Sequence, residues 1–287
     1  MRDDLILPFT LEGANVRGKL VRLGPAISEI LEGHDYPQAI AAKLGEAIVL
    51  TALLGGTLKF DGKLIVQTST DGPLKMMVAD FTTPGDLRGY ARFAGEEQDF
   101  ARGPLLGKGH LALTIDQGAR MERYQGVVEL ESDDLAEAAN RYFERSEQIP
   151  TRIRLAAGPI LTSQNSAWRA GGLLIQHMPG SSSAAEANEE DWRRVCLLQG
   201  TTQAHELLDP QLPAEQLLYR LFHEEDVKVF APQPLQARCG CSRPRVREML
   251  ARFSAKERAD MLRDDGTISV NCQFCNREYV FEAEELD

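Results

Sequence analysis

Long apolar runs are missing from this chain of 287 residues. Its most apolar stretch, AIVLTALLGG at 47–56, is about ten residues, half of the ~20 needed to span a bilayer. It reads as a core helix. The opening MRDDLILPFTLEG carries an acidic pair and reaches Pro8 without the apolar segment of a secretory leader, so none is expected. Basic excess is missing as well. Lys and Arg number 32 against 43 Asp and Glu, a net charge of −11, whereas a general nucleic-acid binder needs cations to displace phosphate counterions. Neither nucleic acid nor membrane is expected as a partner, and the chain reads as soluble and cytoplasmic.

Catalytic apparatus is missing too. The sequence has no G-x-S-x-G, H-E-x-x-H, Walker loop or dinucleotide fingerprint. His34, His110, His177, His205 and His223 are scattered, with no ligand spacing among them. No catalytic residue is assigned, and the chain is not expected to be an enzyme. Cysteine is scarce at five, and in a reducing compartment such thiols stay free unless a metal or a redox role claims them. Four of the five lie in the last 49 residues. That asymmetry is the most informative fact in the sequence.

The rest of the chain falls into three zones: an α+β core at 1–178, an acidic helical linker at 179–231 and a small cysteine-bearing domain at 232–287. In the first, KLIVQTST, LKMMVADF, LRGYARF, GHLALTID and QGVVELE read as short strands with Gly and Asp turns, hence mainly antiparallel pairing. SDDLAEAANRYFERSEQIP reads as a helix with Ser132 as N-cap, Asp133 and Asp134 in its first turn, and Leu135, Ala138, Ala139, Tyr142 and Phe143 on one face. The seam PGSSSAAEANEED opens the second zone, whose ten acidic and four basic residues leave −6. Asn188 is the expected N-cap of a helix with Trp192, Val195, Cys196 and Gln199 on one face. A second helix is expected from Pro213, with Leu217, Leu218, Leu221 and Phe222 inward. Two such short helices must dock on the first zone, and marginally. In the third zone Ser254 and Glu257 form a capping box, but 56 residues with few large apolar side chains need a staple.

The cysteines supply it. Cys239-x-Cys241 and Cys272-x-x-Cys275 can make a tetrahedral Zn²⁺ site whose closed sulfur shell leaves no position for substrate. The one-residue gap departs from the usual C-x₂-C pair, and Gly240 is expected to permit the bend. One reading is an inert structural knot. The other is a redox device, because a C-x-C disulfide is strained and strained disulfides are the labile ones. Each pair is a metal half-site when reduced and can become a local disulfide when oxidised. Cys196 reads as a small buried hydrophobe. Arg243, Arg245 and Arg247 read as a solvated face, or as partners for the acidic second zone.

These residues resemble a known family. CGCSRPR followed by NCQFCNREYVF, with LLYRLFHEEDVKVF, RYFERSEQIPTRIRLAA and AGGLLIQHMP upstream, is similar to the redox-regulated heat-shock holdases, the bacterial 33 kDa chaperonins. The resemblance implies one zinc held by Cys239, Cys241, Cys272 and Cys275 in an inactive reduced state. It implies that oxidants with heat form Cys239–Cys241 and Cys272–Cys275 disulfides, release zinc, unfold the switch domain and loosen the linker. A homodimer then holds unfolding client proteins without ATP. The linker's apolar faces, Trp192, Leu217, Leu218, Leu221 and Phe222, are the candidate client-binding residues. Two rivals are disfavoured: a zinc-ribbon nucleic-acid module by the acidity, and a thiol oxidoreductase by the lack of a βαβ pattern around Cys272 and Cys275.

Overall fold

An apolar helix lies between two sheets in the computed structural model, which describes residues 3–96, 100, 103–118, 121–161, 166–178 and 185–286. The chain divides into two units, one ending at Ala237 and the other running from Arg238. In the first, sheet one has the order β10-β1-β2-β9-β8, with β11 also on β1, and sheet two the order β12-β5-β4-β3-β6-β7. The strands are β1 Leu5–Leu11, β2 Val16–Leu23, β3 Lys63–Thr70, β4 Leu74–Thr82, β5 Asp86–Phe93, β6 Gly109–Asp116, β7 Tyr124–Leu130, β8 Thr151–Leu161, β9 Ser166–His177, β10 Val227–Val229, β11 Gln233–Pro234 and β12 Gln236–Ala237. Pairing is antiparallel except between β12 and β5. The fold is α+β, and the five strands read from the sequence are β3 to β7.

Helix α1 spans Pro25–Glu32 and the buried helix α2 spans Gln38–Gly55. Among the described residues α2 is the one helix long and apolar enough to cross a membrane, but 72% of its apolar window is buried. It packs on strands of both sheets, so apolar side chains are needed nearly all round. Gly45 lets it approach β8, since a Cβ there would stand 2.6 Å from that of Ala157.

Helix α3, Leu135–Tyr142, is capped by Asp134, whose carboxylate accepts from the Ala136 and Glu137 amides. Ser132 is therefore not the cap. Its hydroxyl accepts from Asp134 N instead, while the Asp133 carboxylate, outside the helix, accepts from the Leu105 and Leu106 amides. The expected face of Leu135, Ala138, Ala139 and Tyr142 is buried, and past Tyr142 the chain makes a π turn to Glu147 rather than more α-helix.

Sheet one is apolar on both faces. On β1, Ile6 enters the core around α2, while Leu5, Leu7, Phe9 and Leu11 face a second core with Leu20 of β2 and Leu173 and Ile175 of β9. The linker helices cover this second face. They are α4 Ala185–Gly200, α5 Ala204–Leu208 and α6 Ala214–Phe222. The first begins three residues before Asn188, which is not its cap, and Pro213 caps the last rather than opening it. Of the seam at 179–191, residues 179–184 lie outside the described residues, while 185–191 form the start of α4 rather than a flexible boundary. Leu217, Leu218 and Phe222 are fully buried. Phe222 stacks on Phe9 at 5.8 Å, and the Phe9 ring occupies the space a side chain at Gly18 would need.

The second unit holds α7 Arg243–Leu250, α8 Ala255–Asp260 and the hairpin β13 Thr267–Asn271 with β14 Glu278–Glu282. Ser254 and Glu257 make the expected capping box. The core is small, built from Leu250, Ile268, Tyr279, Phe281 and Leu286.

Candidate metal centre

Cys272 and Cys275 occupy the turn of the β13–β14 hairpin. The turn closes through Cys272 N donating to Arg277 O at 3.0 Å and Asn276 N donating to Cys272 O at 2.8 Å, with Asn276 left-handed at φ 53°. Asn tolerates that region better than most residues. The Arg277 amide donates to the Cys275 sulfur, and on the other limb the Cys241 amide donates to that of Cys239. Backbone N–H groups thus support a sulfur on each limb.

All four sulfurs lie within 4.8 Å of one another. Cys239 Sγ is 3.6 Å from Cys272 Sγ, and Cys241 Sγ is 3.3 Å from Cys275 Sγ. A tetrahedron with Zn–S arms of ~2.3 Å has edges of roughly 3.8 Å, so these residues fit the ion. The set is soft and all-sulfur, which suits zinc over magnesium or calcium. The electrostatics ask for a cation. Burial opposes ionisation of Cys241, but hydrogen bonds from the Tyr279 hydroxyl (3.1 Å) and the other thiols bring it down to about 7. At Cys275 burial leads, against the Arg277 amide, and the neighbouring thiols help push it up to about 12. Burial likewise raises Cys239. Crowding thus favours the Cys241 thiolate while Cys239 and Cys275 are raised, and a divalent cation removes that conflict.

The small core supports the site directly, because Cys241 and Cys272 pack against it. Arg243 spans it from outside: its guanidinium donates to Val280 O and both Glu285 oxygens and lies 4.4 Å over the Phe281 ring. This arginine is engaged within its own unit, and Arg245 donates to the Gly240 carbonyl at 2.5 Å. Gly240 does not have the conformational role expected of it. Its φ is not positive, and an added Cβ would meet only the tip of Arg245 at 3.0 Å.

Cys196 lies far along the chain, half-buried on α4, with burial pushing its thiol up to about 11. Trp192, on the same face, is half-buried and stacks on His177 at 5.5 Å. The other client-binding candidates, Leu217, Leu218, Leu221 and Phe222, are buried in the second core, so they offer no open surface in this state. Two contributors were not visible in the sequence. Tyr279 is not among the candidate site residues above, although the E-x-V-x-E alternation around it marks it inward. Buried Arg22 donates to the carbonyls of Asp209 (2.9 Å) and Leu212 (2.8 Å), pinning the α5–α6 connection to β2.

A family model described as Hsp33 protein matches residues 4–282. The chain belongs to the Hsp33 family. Hsp33 relatives named 33 kDa chaperonin include one from Caulobacter vibrioides, 46% identical with 96% of this chain and 94% of the relative covered. Another, from Escherichia coli strain K12, is 39% identical, with 99% and 94% covered. A crystal structure of the Thermotoga maritima Hsp33 homolog superposes with a TM-score of 0.83 at 26% identity, covering 99% of this chain and 97% of that one. The Hsp33 relatives are named as chaperonins, not enzymes, in keeping with a site whose four sulfurs leave no reaction position.

Proposed function

We propose that this chaperone is a redox-regulated, ATP-independent holdase of the cytoplasm, inactive with Cys239, Cys241, Cys272 and Cys275 on zinc and activated by disulfide formation. The observation that carries the reading is the gathering of four sulfurs within 4.8 Å in a unit with a core of only a few large side chains. When bound, zinc supplies folding free energy, roughly 10–16 kcal/mol in small zinc peptides. In each pair two thiolates give up two electrons to a peroxide, which takes two protons and leaves as two waters while one S–S bond forms. The pairs are Cys239–Cys241 and Cys272–Cys275. A disulfide sulfur no longer binds the cation, so zinc is lost and with it the support of the cysteine-bearing unit from Arg238. The linker at 179–231 then leaves the core at 1–178 and exposes Trp192, Leu217, Leu218, Leu221 and Phe222 to unfolding proteins, with the active form a homodimer. Sequestered Leu217, Leu218 and Phe222 support this reading, since a holdase must hide its apolar surface when idle.

The test measures bound zinc, oligomeric state and suppression of client aggregation before and after peroxide with mild heat. Suppression by the oxidised, zinc-depleted dimer alone is expected. Full protection by the reduced, zinc-loaded protein would sink the proposal.

A further inference from the structure

A pocket of about 260 Å³ opens between the two sheets beside the C-terminal end of α2. Its floor is aliphatic: Leu54, Leu64, Leu113 and Leu174, all buried. Arg17, Gln176, Tyr124 and Glu147 supply polar groups around it. These polar groups are not equally satisfied. The Glu147 carboxylate accepts from the Tyr142 hydroxyl at 2.6 Å and the Tyr124 hydroxyl at 3.1 Å. Arg17 is exposed and donates only its Nε, to the neutral Gln176 amide at 3.2 Å; it forms no ion pair among the described residues. Lys19, next on the same face of β2, turns its amine to the Leu53 carbonyl at 3.2 Å. The apolar cavity therefore carries an exposed guanidinium without an ion-pair partner among the described residues, and elsewhere on its wall a carboxylate held by two tyrosine hydroxyls.

We propose that this pocket binds a medium-chain aliphatic monocarboxylate, its tail on the leucine floor and its carboxylate on the Arg17 guanidinium. The volume equals that of roughly nine liquid waters at ~30 Å³ each, which suits a chain of about eight carbons. The guanidinium fork matches a carboxylate with two parallel N–H donors, which an alcohol or amine head cannot use in that way. The site is separate from the linker. Leu174 and Gln176 line the pocket from one face of β9, whereas Leu173 and Ile175 meet the linker from the other. Occupancy therefore needs neither oxidation nor linker release.

Calorimetric titration of the full-length, reduced, zinc-loaded protein tests this, using sodium octanoate, 1-octanol and octylamine, each below its aggregation threshold. Octanoate should bind one per chain, at least tenfold tighter than octanol. Arg17→Gln, an exposed change that spares the fold, should abolish that preference and leave octanol binding unchanged. Leu58→Trp, on the half-buried pocket wall, should block both ligands, with a melting curve confirming the fold. Absence of saturable octanoate binding overturns the proposal. So does octanol or octylamine binding as tightly as octanoate, or a preference that survives Arg17→Gln.

Discussion

Serine at any one of Cys239, Cys241, Cys272 or Cys275 removes a soft donor from a set that lies within 4.8 Å. Bound zinc, measured by atomic emission in reducing buffer, should fall well below one per chain in each variant and stay at one in Cys196→Ser. Retained zinc in Cys272→Ser would contradict the assignment. Gly240→Ala should keep its zinc, because the new methyl meets only the movable end of Arg245. Lys19 gives a prediction with a pH signature. Burial first, and Arg17 second, lower its pKa from 10.5 to about 7, while its amine donates to Leu53 O at 3.2 Å. From about 7 to 10.5 the unfolded chain binds a proton that the fold does not, so this group makes stability rise with pH across that window. Below about 7 the penalty is fully present. Lys19→Met should therefore raise the melting temperature most at neutral pH and progressively less towards pH 10.5. Parallel melting curves at all pH values would count against it.

The linker helices hold their place by packing and by a few polar clasps. Besides the Arg22 contacts, Arg194 of α4 binds Glu225, just past α6, through both carboxylate oxygens at 2.7 and 2.9 Å. This docking is more extensive than two short acidic helices lead one to expect. Its strength comes from the second apolar face of sheet one, which the linker sequence does not contain. Leu218→Asp should undo it, since an unpaired charge forced into a fully buried site costs several kcal/mol. The variant should suppress client aggregation while reduced and zinc-loaded, under conditions where the parent protein stays silent. Silence of the variant with zinc bound would break the link between linker release and activity. Arg22→Ala should act more mildly. It leaves the Asp209 and Leu212 carbonyls without their donor, at roughly 1–3 kcal/mol. Hydrogen exchange at 204–222 should speed up about tenfold or more, with β2 protection intact.

At the scale of the whole molecule, the two units draw on different sources of stability. The unit ending at Ala237 has a large core around α2, whereas the one from Arg238 has a handful of apolar side chains and four cysteines. A strong chelator under reducing conditions should therefore melt 238–287 and leave the sheets around α2 folded. Limited proteolysis and hydrogen exchange check this. Equal protection of β13 and β14 with and without chelator would show that the metal is not what holds the second unit.

The sequence alone determined whatever depends on neighbours along the chain. The period-two runs became β3 to β7, the apolar run became the heart of α2, and the two cysteine pairs lay at ligand spacing. Tertiary structure decided what depends on partners far away. Leu5, Leu7, Phe9 and Leu11 alternate with Ile6 between two cores, so β1 carries apolar groups on both faces and lacks the polar alternation of a half-exposed strand. Asp134 rather than Ser132 caps α3, and Asp133, expected in its first turn, instead accepts from the distant Leu105 and Leu106 amides. Likewise, four thiols spread over 37 residues became one cluster only because a hairpin turn folds back on the Cys239–Cys241 limb. Local spacing names the possible ligands, but packing over long sequence separations brings the sulfurs within reach of a single ion.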